Sequence, residues 1–133
     1  MKVKGIYVLV ITVNEDITLN IGSLGNVFFE KGLYAYVGSA QNSLEKRVER
    51  HLKTNKRKFW HIDYLLANEH ANVVRVFYKK GADKTEECKT AKKLSEMGVP
   101  ILGFGSSDCK CKSHLIKIKG YQFLKENMHE MKT

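Results

Sequence analysis

An arginine and a histidine stand four positions apart near the middle of the chain, shortly after a tyrosine and a glycine-serine pair. Arg47 and His51 would be neighbours on one face of a helix, because residues four apart lie one above the other. Tyr36 ends an alternating apolar segment that has the period-two pattern of a strand, and Gly38 and Ser39 break that pattern. This strand, turn and helix would direct phenol, guanidinium and imidazole groups towards one side. Such groups suit a reacting phosphate, since guanidinium grips phosphate oxygens and imidazole transfers protons near neutral pH.

The helix carrying these groups is predicted over residues 43–54. Asn42 is the expected N-cap, and Glu45 three positions later would complete a capping box. Arg50, on the same helix, is interpreted as a general contribution to positive charge. A second short helix is predicted over residues 59–67, where the pair His61 and Asp63 is typical of a helix surface.

A second tyrosine, Tyr7, lies in segment 3–13, in which both alternating sets of residues are apolar. A strand with two apolar faces is buried on both, so this one is predicted to be central in the sheet. Tyr7 and Tyr36 could then present their hydroxyl groups to one cleft. The alternative is two core tyrosines with satisfied hydroxyl groups.

The rest of the chain predicts an α+β fold, with a small, mainly antiparallel sheet flanked by helices in one domain. Further strands are predicted at 17–21, 26–30, 72–78 and 115–119, and further helices at 85–97 and 121–131.

The composition favours a polyanionic partner. Lys and Arg number 23 against 14 Asp and Glu, which gives the 133-residue chain a net charge of +9. Surface cations release counterions from nucleic-acid phosphates, although a soluble protein can also simply be basic. There is no apolar run that could span a bilayer and no signal peptide, so we expect a cytoplasmic protein with no membrane partner. With three cysteines and a reducing compartment, a disulfide framework is not expected.

Taken together, the ordered motifs resemble the GIY-YIG nuclease superfamily. They are Gly5-Ile6-Tyr7, then Tyr36-Val37-Gly38-Ser39, then Arg47 and His51. The sequences WHIDYLL at 60–66 and GFGSSDCKCKSHL at 103–115 resemble one branch, the uncharacterised DUF123 family, which occurs alone or joined to endonuclease III-like DNA repair enzymes.

The resemblance implies metal-dependent hydrolysis of phosphodiester bonds. Tyr7 and Tyr36 would orient or activate water, and Arg47 and His51 would bind phosphate, with His51 also able to protonate the leaving oxygen. Gly38 and Ser39, where a residue without a side chain lets a ligand come close, and Arg50, through its general positive charge, are also predicted to bind phosphate or nucleic acid. The long segment between the two motifs implies an inserted hairpin at about 16–32.

Members of the superfamily carry a metal-binding glutamate on the helix after the last core strand, and two candidates stand here. Glu87 shares its predicted face with the apolar residues Ala91 and Leu94, whereas Glu86 lies on an exposed face. An inward carboxylate needs a partner, and a hard divalent cation is a suitable one. Glu87 is therefore the predicted ligand of Mg²⁺ or Mn²⁺.

The loop before the last strand has three interpretations. Cys109, Cys111 and His114, with Cys88, could form a zinc site. Ser106 and Ser107 could instead form a backbone nest for phosphate, with His114 beside the active site. The third interpretation is a tight turn with small buried thiols. The turn and the phosphate loop are preferred to zinc.

The leading hypothesis is thus a metal-dependent endonuclease acting on DNA in preference to RNA, with a DNA repair enzyme as a candidate partner. The competing hypotheses are a non-catalytic nucleic-acid-binding module of the same fold and a zinc-stabilised structural domain.

Overall fold

A computed structural model describes residues 3–53, 58, 60–105 and 113–131. The fold is α+β, with a six-stranded antiparallel sheet flanked by helices, as the sequence predicts. The strands are β1 (Gly5–Val13), β2 (Ile17–Asn20), β3 (Asn26–Phe29), β4 (Gly32–Ala40), β5 (Ala71–Lys80), β6 (Val99–Pro100), β7 (Leu115–Ile118) and β8 (His129–Glu130). The helices are α1 (Leu44–Leu52), α2 (His61–Leu66), α3 (Lys84–Met97) and α4 (Gln122–Asn127).

The sheet has the order β6-β7-β4-β1-β5-β8, so β1 lies between two long neighbours. Its residues alternate between two hydrophobic clusters, one on each face of the sheet: Leu9 and Ile11 belong to one cluster, and Val8 and Val10 to the other. This arrangement confirms the predicted central strand, and the reason is that apolar side chains on both faces are stable only when both faces are covered.

The two faces are covered by different helices. The first cluster includes Leu44 and Val48 of α1 and Ile62 and Leu65 of α2, whereas the second includes Leu94 of α3. In the described part of the chain, β2 and β3 pair only with each other, as the predicted inserted hairpin, and β2 and the turn at 22–24 lie against α2.

Two predicted boundaries are wrong. The N-cap of α1 is Ser43 rather than Asn42, because the Ser43 hydroxyl accepts a hydrogen bond from the Lys46 amide at 3.3 Å. The predicted terminal helix over 121–131 ends at Asn127, and the residues after it form β8 on the outer edge of β5. The outer edge of β5 offers unpaired backbone groups to which the last residues can hydrogen-bond. The helical periodicity of the last residues does not indicate that such an edge is near.

In the part of the chain that is described, no helix combines the length and apolar character needed to cross a bilayer.

Candidate active site

A pocket of about 410 Å³ lies where β1, β4 and three helices meet. Strand β7 pairs with β4 only from Leu33 to Tyr36, so the continuation of β4 through Gly38 and Ser39 borders this pocket. Of the predicted site residues, the following line it: Tyr7, Tyr36, Gly38, Ser39, Arg47, Glu87, Cys88 and His114. The pocket therefore brings together side chains that are far apart in the sequence.

Gly38 sits directly against the ring of Tyr7. The two residues are cross-strand partners in the β1–β4 register. A Cβ atom at Gly38 would overlap the end of the Tyr7 phenol. The glycine therefore allows the tyrosine ring to cross the neighbouring strand and reach the pocket.

The hydroxyl group of Tyr7 is 2.6 Å from Nε2 of His51. His51 is only 2% exposed and lies behind Tyr7, not among the residues that line the pocket. Burial raises the pKa of the Tyr7 phenol, although the Arg47 guanidinium opposes that rise. Tyr7 therefore keeps its proton at neutral pH. If this phenol is to take up a proton from a ligand, it must pass its own proton to His51 through the hydrogen bond between them.

Tyr36 is also buried, at 7% exposure, and its ring makes edge contacts with His51 and Phe104 at centroid distances of 6.0 and 6.3 Å. Burial, with a further contribution from Tyr7, raises the pKa of the Tyr36 phenol well above its ordinary value. The site thus contains two neutral phenols, of which Tyr7 is hydrogen-bonded to His51 and Tyr36 can donate a hydrogen bond to an anionic ligand.

The two arginines of α1 have different environments. Arg47 lines the pocket and donates a hydrogen bond from Nη1 to the backbone oxygen of Ser39 at 3.1 Å. Arg50 instead makes a two-point ion pair with Asp63, with both nitrogen–oxygen distances at 3.0 Å. Asp63 is fully buried, so its interpretation as a surface residue is wrong, and Arg50 is more than a general surface charge. A carboxylate is buried only when its charge is paired.

The adjacent glutamates of α3 face different environments. The Glu87 side chain is 13% exposed and borders the pocket, whereas Glu86 is 39% exposed and pairs with Lys79 at 3.5 Å. Helical geometry separates the two carboxylates, because consecutive residues point about 100° apart around the axis. Asp83 caps this helix by accepting hydrogen bonds from the Thr85 and Glu86 amides.

His114 packs against Glu87 at the floor of the pocket. Its Nδ1 is 3.4 Å from Oε2 of Glu87, and the residue is 4% exposed. Within the described ranges, Nε2 of His114 is buried and has no hydrogen-bond partner. A donor or a cation in the pocket would satisfy this nitrogen.

The cysteine-rich loop is partly outside the described residues, and the predictions for Ser106, Ser107, Cys109 and Cys111 concern positions there. Cys88 is disulfide-bonded, although no disulfide framework was expected from the sequence. A disulfide sulfur offers no thiolate to a metal, so a zinc site that uses Cys88 would require its reduced form.

The donor atoms around Glu87 suit a hard cation such as Mg²⁺ better than a zinc ion enclosed by protein ligands. No cluster of three or more His, Cys, Asp or Glu side chains that could hold a metal occurs among the described residues. Mg²⁺ is commonly held by one or two carboxylates together with waters and substrate phosphate. Glu87 beside an open pocket matches that pattern.

Several pocket residues were not predicted as site residues from the sequence, among them Trp60 and His61 at the start of α2. His61 Nδ1 accepts a hydrogen bond from the Gly105 amide at 3.0 Å, and its Nε2 is 3.2 Å from the Ser23 hydroxyl in the hairpin. The only signal in the sequence was the run of Trp, His and Asp at this helix start.

A family model described as "Domain of unknown function DUF123" matches residues 6–133. The chain belongs to the DUF123 family. Searches of the curated proteins and of the solved structures found no match. Within this DUF123 chain, the family match includes every described residue that lines the pocket, from Tyr7 to His114.

Proposed function

We propose that this DUF123 protein is a metal-dependent endonuclease of GIY-YIG type that hydrolyses phosphodiester bonds in nucleic acid, DNA in preference to RNA. The observation that carries the proposal is one pocket lined by two phenols, an arginine and an inward carboxylate, with a histidine hydrogen-bonded to one of the phenols. Those are the groups needed to hold a phosphate, take up a proton and bind a cation.

Arg47 would bind a non-bridging oxygen of the scissile phosphate. Its hydrogen bond to the Ser39 backbone holds the guanidinium at the pocket wall. The fork of nitrogen donors on arginine matches phosphate geometry. The raised pKa values of the Tyr7 and Tyr36 phenols keep both hydroxyl groups protonated. Tyr36 can therefore donate to an anionic phosphate, whereas Tyr7, whose hydroxyl group is hydrogen-bonded to His51, would orient a water through its oxygen.

Tyr7 and His51 together would accept the proton of the attacking water. Tyr7 donates its proton to Nε2 of His51 while its oxygen receives the proton of the water, so the phenol ends the step neutral. This relay avoids a free phenolate, which the raised pKa of Tyr7 makes costly. His51 would therefore act through Tyr7 rather than touch the phosphate itself.

Glu87 would hold the divalent cation, with His114 fixing one carboxylate oxygen through its Nδ1. Partners of this kind orient ligating groups in many metal sites. When bound, such a cation neutralises charge that develops on the phosphate oxygens.

The test compares Glu87→Gln with Glu86→Gln, two adjacent residues with opposite exposure. Cleavage of branched, flapped, single-stranded and duplex DNA, and of RNA, is measured with Mg²⁺, Mn²⁺ or EDTA. We expect metal-dependent products from the wild type and from Glu86→Gln, and a loss of at least about 100-fold from Glu87→Gln, because a carboxylate ligand is removed. Binding in EDTA should be retained by both variants. Equal cleavage by the two variants would contradict the role of Glu87.

The second candidate function is a nucleic-acid-binding module without turnover. The contact between Glu87 and His114 favours it, because that contact gives the carboxylate a partner within the protein. Binding by the wild type with no cleavage on any substrate or metal would support this module against the nuclease.

A further inference from the structure

The start of α2 packs against the arginines of α1 through a single aromatic ring. The guanidinium carbon of Arg47 lies 4.6 Å from the centroid of the Trp60 ring, and that of Arg50 lies 4.2 Å from it. The His51 ring is 5.7 Å away between centroids. Trp60 therefore contacts three polar side chains of one helix, one of which lines the pocket.

Trp60 is itself held in place by a buried carboxylate. Its backbone amide donates to Oδ2 of Asp63 at 2.9 Å, and the Asp63 amide donates back to the Trp60 carbonyl at 3.0 Å. The same carboxylate receives both nitrogens of Arg50 at 3.0 Å. Asp63 thus connects the backbone that carries the ring to one of the guanidinium groups stacked on it.

These contacts limit where the Arg47 guanidinium can lie. Arginine has a long side chain with considerable rotamer freedom, which must be lost when it grips a ligand. The Trp60 ring and the Ser39 carbonyl contact this guanidinium before any ligand arrives. A guanidinium ordered in advance binds its ligand at a smaller entropic cost.

We propose that Trp60 is the positioning residue for Arg47, with Asp63 and Arg50 fixing the ring. The inference rests on the proposed function, in which Arg47 binds the scissile phosphate. It assigns a role to the Trp-His-x-Asp run that the proton relay and the cation site do not use. It also explains why the Arg50 guanidinium, close to Arg47, is engaged with Asp63 and the ring rather than with the pocket.

The stack can be tested without any substrate, because Trp60 is the only tryptophan in the chain. Acrylamide quenching of its fluorescence is measured for the wild type, Arg47→Ala and Lys46→Ala, the last as an exposed neighbour on α1. Quenching should increase in Arg47→Ala, where part of the ring surface loses its cover, and stay unchanged in Lys46→Ala. Unchanged quenching in Arg47→Ala would overturn the stack.

The positioning role is tested by a double-mutant cycle on binding and cleavage. Trp60→Leu should lower kcat/KM by about ten-fold in the wild-type background, the scale of a lost cation–π contact. In the Arg47→Ala background the same change should have little further effect, because there is no guanidinium left to position. Trp60→Phe should retain most of the activity, since its ring can still stack. Circular dichroism confirms that each variant is folded.

Tyr64→Leu, on the same helix but packed against Gly22 of the hairpin, is the matched control and should show no coupling to Arg47. If the wild type cleaves and Trp60→Leu lowers kcat/KM equally in the wild-type and Arg47→Ala backgrounds, the proposed role of Trp60 is wrong. A wild type that neither binds nor cleaves nucleic acid would overturn the proposed function instead, while the quenching experiment still reports on the stack.

Discussion

Tyr7 reaches the pocket because its cross-strand partner, Gly38, carries no side chain. The phenol then meets Nε2 of His51 at 2.6 Å, and both side chains are almost fully buried. A buried hydroxyl without a partner would be costly, so the hydrogen bond to His51 also stabilises the tyrosine in this position. In the proposed nuclease, catalysis and packing would thus depend on the same contact.

Gly38→Ala should disturb both stability and activity. The new methyl group would overlap the Tyr7 ring, which is 2% exposed and cannot move into solvent. We expect a loss of about 1–3 kcal/mol in the free energy of unfolding, the usual cost of overpacking a core. Cleavage should fall as well, because a displaced phenol loses its hydrogen bond to His51.

Urea denaturation and cleavage rates measure the two effects. Gly120→Ala is the matched control, since a Cβ atom there meets nothing within 4 Å. A Gly38→Ala protein as stable and active as the control would show that the Tyr7 ring can shift freely.

Helix α2 is the element that links the site to the rest of the fold. Its first turn supplies the ring against Arg47, the buried carboxylate of Asp63 and the imidazole of His61. His61 connects two separate segments, the turn at Gly105 and the hairpin at Ser23. A six-residue helix would be unstable alone, so its position depends on these contacts and on Ile62 and Leu65 in the core.

The hydrogen bond between His61 and Gly105 should weaken at acidic pH. Burial lowers the pKa of His61, and its Nδ1 must be unprotonated to accept the Gly105 amide. A group whose pKa is lowered by folding stabilises the fold above its unfolded pKa, near 6.5, and loses that contribution as the pH falls through the lower folded value. Losing this hydrogen bond should cost about 1 kcal/mol.

Chemical denaturation at pH 7.5 and at pH 5 measures this loss. His61→Gln should reduce the difference between the two pH values, because glutamine does not titrate. His129→Gln, a change at an exposed position on β8, should leave the difference unaltered. If His61→Gln and the wild type lose stability equally between these pH values, the pH dependence does not come from the hydrogen bond between His61 and Gly105.

The whole molecule is a sheet that helices cover on both faces. Helices α1 and α2 cover one face and α3 the other, while the first turn of α3 brings Glu87 and Lys84 to the pocket. The chain has a net charge of +9, and among the described residues that line the pocket, Arg47 and Lys84 stand against a single carboxylate, Glu87. A polyanion is attracted to such a surface at long range, and the attraction is screened by salt.

Nucleic-acid binding should weaken steeply as salt increases. For about five neutralised phosphates, a plot of the logarithm of affinity against the logarithm of salt concentration should have a slope of about −4 to −5 on duplex DNA. Lys84→Glu, beside the pocket, should make the slope shallower by about one or more.

Fluorescence anisotropy in EDTA measures the slope without cleavage. Lys125→Glu on α4 makes the same change of charge at an exposed position that does not line the pocket, and it should have a smaller effect. Equal effects of the two variants would mean that binding follows net charge rather than the pocket.

The sequence by itself determined the α+β fold, the central strand β1 and the inward direction of Glu87, because these follow from local periodicity. Alternating apolar residues define a strand with two buried faces, and helical spacing separates Glu87 from Glu86. The N-cap at Ser43 and the final strand β8 differ from prediction. Neighbouring polar residues such as Asn42 and Ser43 can both cap a helix, and packing decides which one does and whether the last residues pair with β5.

Only the tertiary structure decided the partners of the polar side chains. It turns Arg50 towards Asp63, puts His51 behind Tyr7, and brings Trp60 onto Arg47. Each of these contacts joins residues on different elements, and their distance in space depends on how the helices pack on the sheet. Periodicity reports which face of an element a residue occupies, whereas a hydrogen bond or an ion pair depends on what the opposite element places there.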